Sequence, residues 1–495
     1  MECKNKEVQE LKQEFDELVS NMFQPATNNE RIDKIEMLIL RTLLNIGRRL
    51  LKCYIEHIKE MAEQDMKRKS DCRNQDKGLF TRPYFSIFGS IRFSRKKFYM
   101  TEDKKIFYPA DRAMSMPKEE YSYNLQNWIG HSATDTDFRS SVELINQIFE
   151  YNIKEMQAER ISNKLSGEVE VFYNEQENIP AEKEGVFFAG GFDDKGVPIL
   201  PADANRKVDS NGVRLGKGQK RGTKKSCTVS VTYSFNPNVR TAEDVVASLF
   251  KETTNTETEN NNPCEPSGTH AKNKHIRAFL SDKQKAMEYG LDNLLKRSTN
   301  KDKNIVILID GDRGLEKAID KAIEAKGIQD RVIFKVLDFI HVVEYLWKAA
   351  NIYYGEKSLQ RITWVREHSL LLLQGKTDDV LKDLHELIKH GKYQTAKHRM
   401  IKKVIKYLSN HKHMMNYKEC LARGFPISTG AIESACGHFV QSRMERNGMR
   451  WSIKGAKNIL NLRSVRKNKD WENYMKYYIQ KKEESIDFLN YRMVA

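Results

Sequence analysis

Five consecutive apolar residues, Ile305-Val-Ile-Leu-Ile309, run directly into Asp310-Gly-Asp-Arg-Gly-Leu315. A short, mostly β-branched run followed by turn residues predicts a strand buried on both faces, the kind found in sheets covered by helices. A helical pattern over 314–326 and a second β-branched run at 332–336 complete a β-α-β alternation, so this part of the chain predicts an α/β domain. Upstream, Gly185-Val-Phe-Phe-Ala-Gly-Gly-Phe-Asp-Asp194 predicts a strand ending in acids, and Ser226–Phe235 alternates as a half-buried strand does.

The flanking regions read differently. Residues 5–22 and 31–67 carry apolar positions at helical spacing, and 68–77 is a polar connector. Residues 83–108 predict a short β element broken by Pro109. Residues 122–178 return to helical periodicity, with 140–149 and 153–173 as two helices around a short turn, a helix-turn-helix-like pair. Residues 253–269 form a low-complexity polar loop. Residues 339–353 and 358–415 are helical and rich in Lys and His, and 456–466 is a basic amphipathic helix.

Composition narrows the class of partner. The chain of 495 residues carries 84 Lys and Arg against 68 Asp and Glu, a formal charge of +16. An excess of this sign favours a polyanion, nucleic acid above all. Seven cysteines are scattered without a CxxC pair, which excludes a disulfide framework and a sequence-readable zinc site. The start of the chain has no signal-peptide core, and the most apolar early stretch, 35–55, is interrupted by charges, which excludes a membrane span. These features predict a cytoplasmic protein.

Three acids are candidates for chemistry. Asp310 sits at the C-terminal end of the predicted buried strand, where open α/β sheets place their sites. A carboxylate there needs a metal or a capping role to offset its burial, and Asp312 is better placed to cap the next helix. Asp193 and Asp194 follow Gly190 and Gly191, which would admit a backbone or ligand closely. Strand alternation sends the two acids to opposite faces, so only one can enter a shared site. Either could instead belong to an ordinary acidic turn.

Glu433 lies in the first turn of a predicted helix, within Gly424-Phe-Pro-Ile-Ser-Thr-Gly-Ala-Ile-Glu433. At 100° per residue it falls at the edge of the stripe formed by Ile432, Ala435, Cys436, Phe439 and Val440, with Gly437 leaving space above it. The helix dipole alone would also favour a glutamate there. Carboxylates converging from a sheet and a helix suit a two-metal phosphoryl-transfer site.

Basic residues gather in two places. Residues 206–225 include Lys217, Lys220, Arg221, Lys224 and Lys225 among glycines, either a phosphate-gripping loop or a solvated hairpin. Arg443, Arg446, Arg450 and Trp451 follow Glu433, either to grip phosphates and stack on a base, or as a core tryptophan with paired arginines.

The block Thr429-Gly-Ala-Ile-Glu433 through Val465 closely resembles the C-terminal block of bacterial insertion-sequence DDE transposases of the ISKra type. Asp193-Asp-Lys-Gly-Val-Pro198 looks like that group's first-acid motif, usually Asp-Gly-Lys-Gly-Val-Pro, with Asp194 in place of the glycine. Lys224–Tyr233 and Arg240–Val246 are similar too. Ile307-Leu-Ile-Asp310-Gly-Asp312 fits the second acid, and Asp338 with His341 fits the Asp/Cys-x-x-His element of many such enzymes. The resemblance spans about residues 83–480. Many relatives carry a CxxC pair after the early β element, whereas residues 99–108 here contain no cysteine.

The resemblance implies an RNase H-like mixed sheet flanked by helices, with a helical insertion and a mainly helical N-terminal region. Asp193, Asp310 and Glu433 would be catalytic and hold two Mg²⁺ or Mn²⁺ ions. Asp338 and His341 would assist behind the metals or touch a DNA strand, or merely cap and pack a helix. The partners implied are double-stranded DNA, as terminal inverted repeats and target, and further copies of the chain in a nucleoid-associated complex. The corresponding division is an N-terminal helical region (1–78), a β element with a DNA-binding helical region (79–180), a catalytic domain (181–355 and 425–466), an insertion (356–424) and a helical tail (467–495). A nuclease or resolvase of the same fold that cuts without joining, and a non-catalytic DNA-binding derivative, are the alternatives.

Overall fold

The computed structural model describes residues 2–24, 30–68, 74–100, 105–176, 181–203, 224–250, 271–298, 305–390, 395–428, 430 and 437–486. The polar loop at 253–269 and most of the basic stretch at 206–225 lie outside them. The chain forms two compact units, one of residues 1–174 with 469–495 and the other of residues 175–468.

The first unit opens with two amphipathic helices, α1 (Glu2–Met22) and α2 (Ile32–Arg68). Three antiparallel strands follow in the order β1 (Asn74–Ser86), β2 (Gly89–Met100), β3 (Lys105–Phe107). Strand β1 begins well before the expected element. Its polar first residues pair with the end of β2 across a register shift between Asp76 and Leu79, where Gly78 has φ +92°. The bulge interrupts the alternation by which a strand is recognised. The small core of this part joins Ile55 of α2 to Ile91, Phe93 and Met116. Arg82 and Arg95 both close on Asp111, at 2.9 and 2.6 Å. That carboxylate lies in the first turn of α3 (Pro109–Ala113), whose leading proline is well suited to a helix start.

Helices α4 (Tyr123–Ala133), α5 (Phe138–Phe149), α6 (Glu155–Leu165) and α7 (Val169–Glu175) come next. Ser122 caps α4 and Asp137 caps α5 through their side chains. The expected turn between the helix pair is closed by Asn146, whose side chain both accepts from the Ile153 N–H (2.9 Å) and donates to its carbonyl (3.0 Å). The C-terminal helix Trp471–Ile486 belongs to this unit, with Tyr474 buried and its hydroxyl donating to the Leu165 carbonyl.

The second unit is built on a five-stranded mixed sheet. Its strands are β4 (Phe187–Pro198), β5 (Lys224–Phe235), β6 (Lys272–Leu280), β7 (Ile305–Ile309) and β8 (Val332–Leu337), in spatial order β6-β5-β4-β7-β8. β4 and β6 run antiparallel to β5, and β7 and β8 run parallel to β4. All five residues of β7 are fully buried, as its unbroken apolar run requires. Edge strand β6 was not anticipated, because the first half, Lys272-Asn-Lys-His, is polar and only the second half is buried.

Helix α8 (Ala242–Leu249) follows β5, α9 (Lys283–Arg297) joins β6 to β7, and α10 (Arg313–Ala325) joins β7 to β8. Gly290 lets α9 lie close on the sheet: an added Cβ would stand 2.5 Å from Ser230 Oγ and 2.8 Å from the Phe192 ring. Gly190 serves the same contact from the sheet side, where an added Cβ would stand 3.1 Å from Leu294 of α9. The close approach expected at Gly190 is therefore made by a helix rather than by a ligand. After β8 come α11 (Phe339–Tyr354), α12 (Gln360–Leu373), α13 (Thr377–His390), α14 (Thr395–His411) and α15 (Tyr417–Ala422). Helix Ile453–Lys467 closes the unit against β6. No helix among the described residues is long and apolar enough to cross a membrane.

Candidate active site

Phe192, Ile309 and Leu337 form the last paired row across β4, β7 and β8. The residue that follows each member of this row is an aspartate: Asp193, Asp310 and Asp338. Three separated segments therefore deliver a carboxylate residue to the same end of the parallel part of the sheet. The acids of β4 do not end their strand, as the sequence suggested. β4 continues to Pro198 in antiparallel pairing with β5, and only its parallel pairing stops at Phe192. Asp193 thus stands where one side of the strand loses its neighbour.

Behind Asp310 the backbone turns sharply. Gly311 has φ +86°, and an added Cβ there would stand 2.9 Å from both Leu337 Cδ1 and Tyr407 Oη. A side chain is excluded twice over, by conformation and by space. Asp310 Oδ1 accepts the Asp312 N–H at 3.0 Å, and Asp312 in turn caps α10 by accepting the Leu315 N–H at 2.9 Å. The capping role thus falls to Asp312, as expected, which leaves Asp310 directed to other uses. Tyr407 of α14 donates its hydroxyl to the Asp310 carbonyl at 3.0 Å and stacks on Tyr345 of α11, with ring centroids 3.8 Å apart.

Asp338 is fully buried and caps α11, accepting the Ile340 N–H at 2.9 Å while its own N–H donates to the Ile309 carbonyl. His341, in the first turn of α11, is part-exposed, with Nδ1 3.6 Å from Glu344. The capping alternative for Asp338 is what the geometry displays. A direct part in chemistry is a separate matter.

The two acids of β4 have different surroundings. Asp194 is fully engaged: Thr228 donates to Oδ1, and Lys283 lies 2.6 Å from Oδ2 while also meeting Asp312 at 3.0 Å. Asp193 is only 5% exposed, and its Oδ2 is buried without a hydrogen bond; the Lys195 ammonium lies 2.9 Å away as an ion pair. Asp193 is also the acid whose charge reaches Asp310. Burial pushes the Asp310 carboxyl above its ordinary range, and the negative charges of Asp193 and Asp312 add to the rise, against the Asp312 N–H and His341.

Asp193, nearly buried and ion-paired with Lys195, stands beside a second carboxyl whose charged form burial disfavours, so two sets of carboxylate oxygens lie close together. Hard oxygen donors of this kind fit a divalent cation such as Mg²⁺. Among the described residues no three His, Cys, Asp or Glu side chains already form a metal cage. The third expected ligand, Glu433, lies outside the described residues, as do its neighbours 431–436. Beyond them Gly437–Gln441 is a π-helical turn that buries Phe439 and Val440 and exposes His438 and Gln441, and a Cβ on Gly437 would meet nothing within 4 Å.

The arginine-rich segment divides into two groups. Trp451 is 6% exposed, donates Nε1–H to the Met444 carbonyl at 3.0 Å, and pairs its backbone with Pro198 and Leu200 beyond β4. Arg443 is 1% exposed and lies over the Trp451 ring at 4.6 Å. These two side chains form an internal anchor for the end of β4, not a surface for stacking on a base. The physical reason is that the Trp451 backbone extends the sheet by one bridge, which carries its ring inward. Arg446 and Arg450 are exposed. Lys224 is exposed and pairs with Glu445 at 2.5 Å, Lys225 is half-buried, and Lys217, Lys220 and Arg221 lie outside the described residues.

Comparison of the chain with protein-family models and with curated proteins finds no match. Lys195, Lys283 and Tyr407 were not singled out from sequence. Lys195 had a usable signal, since two residues along a strand return to the same face as Asp193. Tyr407 had none: 97 residues separate it from Asp310.

Proposed function

We propose that the chain is a DDE-type DNA transposase with an RNase H-like catalytic domain, in which Asp193, Asp310 and Glu433 hold divalent cations. The observation that carries this reading is the delivery of Asp193 and Asp310 to adjacent strand ends, where the Asp193 charge acts on the Asp310 carboxyl. The strand order, antiparallel on one side of β4 and parallel on the other, supports the fold assignment. The net charge of +16 supports a nucleic-acid partner.

Bound Mg²⁺ or Mn²⁺, two ions in the full site, would lower the cost of forming a hydroxide or alkoxide nucleophile and of releasing the 3′-oxygen. The chain's own residues orient the reaction. Asp193 and Asp310 present the oxygens that would hold the ions at the end of the parallel strands. Tyr407 holds the Asp310 turn, and the Lys283 bridge keeps Asp194 and Asp312 out of the site. Exposed Arg446 and Arg450 supply phosphate contacts outside it. Water attack at phosphorus frees a 3′-hydroxyl at the element's end. That hydroxyl then attacks a target phosphodiester, so that one P–O bond forms as one breaks. The substrates are the terminal inverted repeats and target DNA, held by two or more copies of the chain in a cytoplasmic, nucleoid-associated complex.

The test first searches the DNA on either side of the reading frame for inverted repeats and uses a substrate carrying them. Asp193→Asn, Asp310→Asn and Glu433→Gln should each abolish cleavage while leaving gel-shift affinity intact. Retained strand transfer in any of the three refutes the assignment. Cleavage by the unaltered protein without joined products would select the nuclease or resolvase reading instead.

A further inference from the structure

The surroundings of Asp193 point to a step that precedes chemistry. Two cations serve the acids of β4, and they are held differently. Lys283 is locked between Asp194 and Asp312, with its ammonium within 3.0 Å of both. Lys195 meets Asp193 Oδ2 at 2.9 Å, but that oxygen makes no hydrogen bond and the lysine side chain is 29% exposed. Asp193 and Lys195 share a face of β4, because two residues along a strand restore the direction. The ammonium therefore reaches the nearly buried carboxylate along one face of β4. A doubly charged ion binding the same oxygens would compete with the lysine directly.

We infer that Lys195 is an exchangeable stand-in cation: its ammonium neutralises Asp193 until a divalent ion takes that oxygen, and the displaced lysine then binds a phosphodiester oxygen of the DNA strand. The inference rests on the metal-binding reading of Asp193 and Asp310 and adds a coupling between metal and DNA binding. The exchange breaks no covalent bond. It converts an internal ion pair into an external phosphate contact, so the site presents its DNA-gripping charge only when loaded. The flexible lysine stem, with its compact, strongly hydrated charge, suits such a move better than a planar guanidinium would.

The experiment titrates Mn²⁺ into the full-length protein and follows the free-ion signal by electron paramagnetic resonance. Lys195→Met and Lys195→Gln should bind Mn²⁺ more tightly by about fivefold or more, the size of a modest coupling between sites. Lys195→Arg, which keeps the charge, should remain close to the unaltered protein. With Mn²⁺ present, the salt dependence of DNA binding should lose about one phosphate contact in Lys195→Met and none without the ion. Unchanged or weaker Mn²⁺ affinity in both uncharged variants, each shown to be folded by its melting curve, overturns the exchange. Asp310→Asn separates the two levels. If it retains full Mn²⁺ affinity, the metal site itself is wrong and the exchange falls with it; if it loses affinity while both lysine variants are unchanged, only the exchange is wrong.

Discussion

Glu184 and Arg297 fasten the entry to β4 onto the end of α9, and their replacement gives a calculable effect. Arg297 donates to both carboxylate oxygens, at 2.7 and 2.9 Å, and the two side chains are 4% and 0% exposed. Ser234 and Asn273 also donate to Oε2. Glu184→Gln preserves the shape, but every atom that meets the carboxylate is a donor. Whichever way the amide is turned, its NH₂ faces an N–H or O–H, and the guanidinium loses its counter-charge. Breaking a buried pair from one side costs about 3–5 kcal/mol. For a unit of this size each kcal/mol lowers Tm by roughly 2–4 °C, so the loss is about 6–20 °C. Burial alone would raise the Glu184 carboxyl, yet the bonds from Arg297, Asn273 and Ser234 together with the Arg297 charge hold it below its ordinary value of 4.5. A depressed carboxyl contributes stability that is present above the unfolded-state value and is lost as pH falls through the folded-state value. Circular-dichroism melts across the acid range should show that loss in the unaltered protein and a flatter profile in Glu184→Gln. A drop in Tm of under about 2 °C at neutral pH, less than the effect of one kcal/mol, refutes the reasoning.

The divided arginine segment predicts two separate phenotypes. Trp451→Ala should cost about 3–5 kcal/mol of stability by emptying a packed position, measured by denaturant unfolding, whereas Arg450→Ala should leave stability unchanged and weaken DNA binding in a salt-dependent way. Tyr407→Phe removes the hydroxyl that holds the Asp310 carbonyl and should cost about 1 kcal/mol in stability; cleavage assays should show a fall in kcat with little change in KM for DNA, because the Asp310 turn is loosened while the phosphate contacts remain.

The elements legible in the sequence were those whose burial is uniform or strictly periodic. β7 is an unbroken apolar run, α2 keeps its helical stripe for ten turns, and Asp312 precedes its helix with a recognisable cap. Elements that break their own pattern escaped. β1 begins with polar residues across a bulge, and β6 is an edge strand with a polar first half. Of the candidate site, Asp193 and Asp310 were legible because a carboxylate at the end of an apolar strand is costly without a purpose. The difference between Asp193 and Asp194 was not, because alternation says only that they diverge, and it is Thr228 and Lys283 that claim the second.

The sequence by itself determined the buried strand β7, the acid that stands just past its end and the helical stripe of α2, because hydrophobic periodicity is written into neighbouring positions. It also determined the sign of the surface field and the caps, which depend on residues three or four apart. Tertiary structure alone decided what those end residues face. The parallel row that brings Asp193, Asp310 and Asp338 together joins segments more than a hundred residues apart at its widest. The inward turn of Trp451 depends on a single bridge to Ile199, and the grip of Tyr407 on Asp310 depends on the packing of α14 against α11. Such contacts are set by register and helix packing across the whole unit, and no local spacing of residues encodes them.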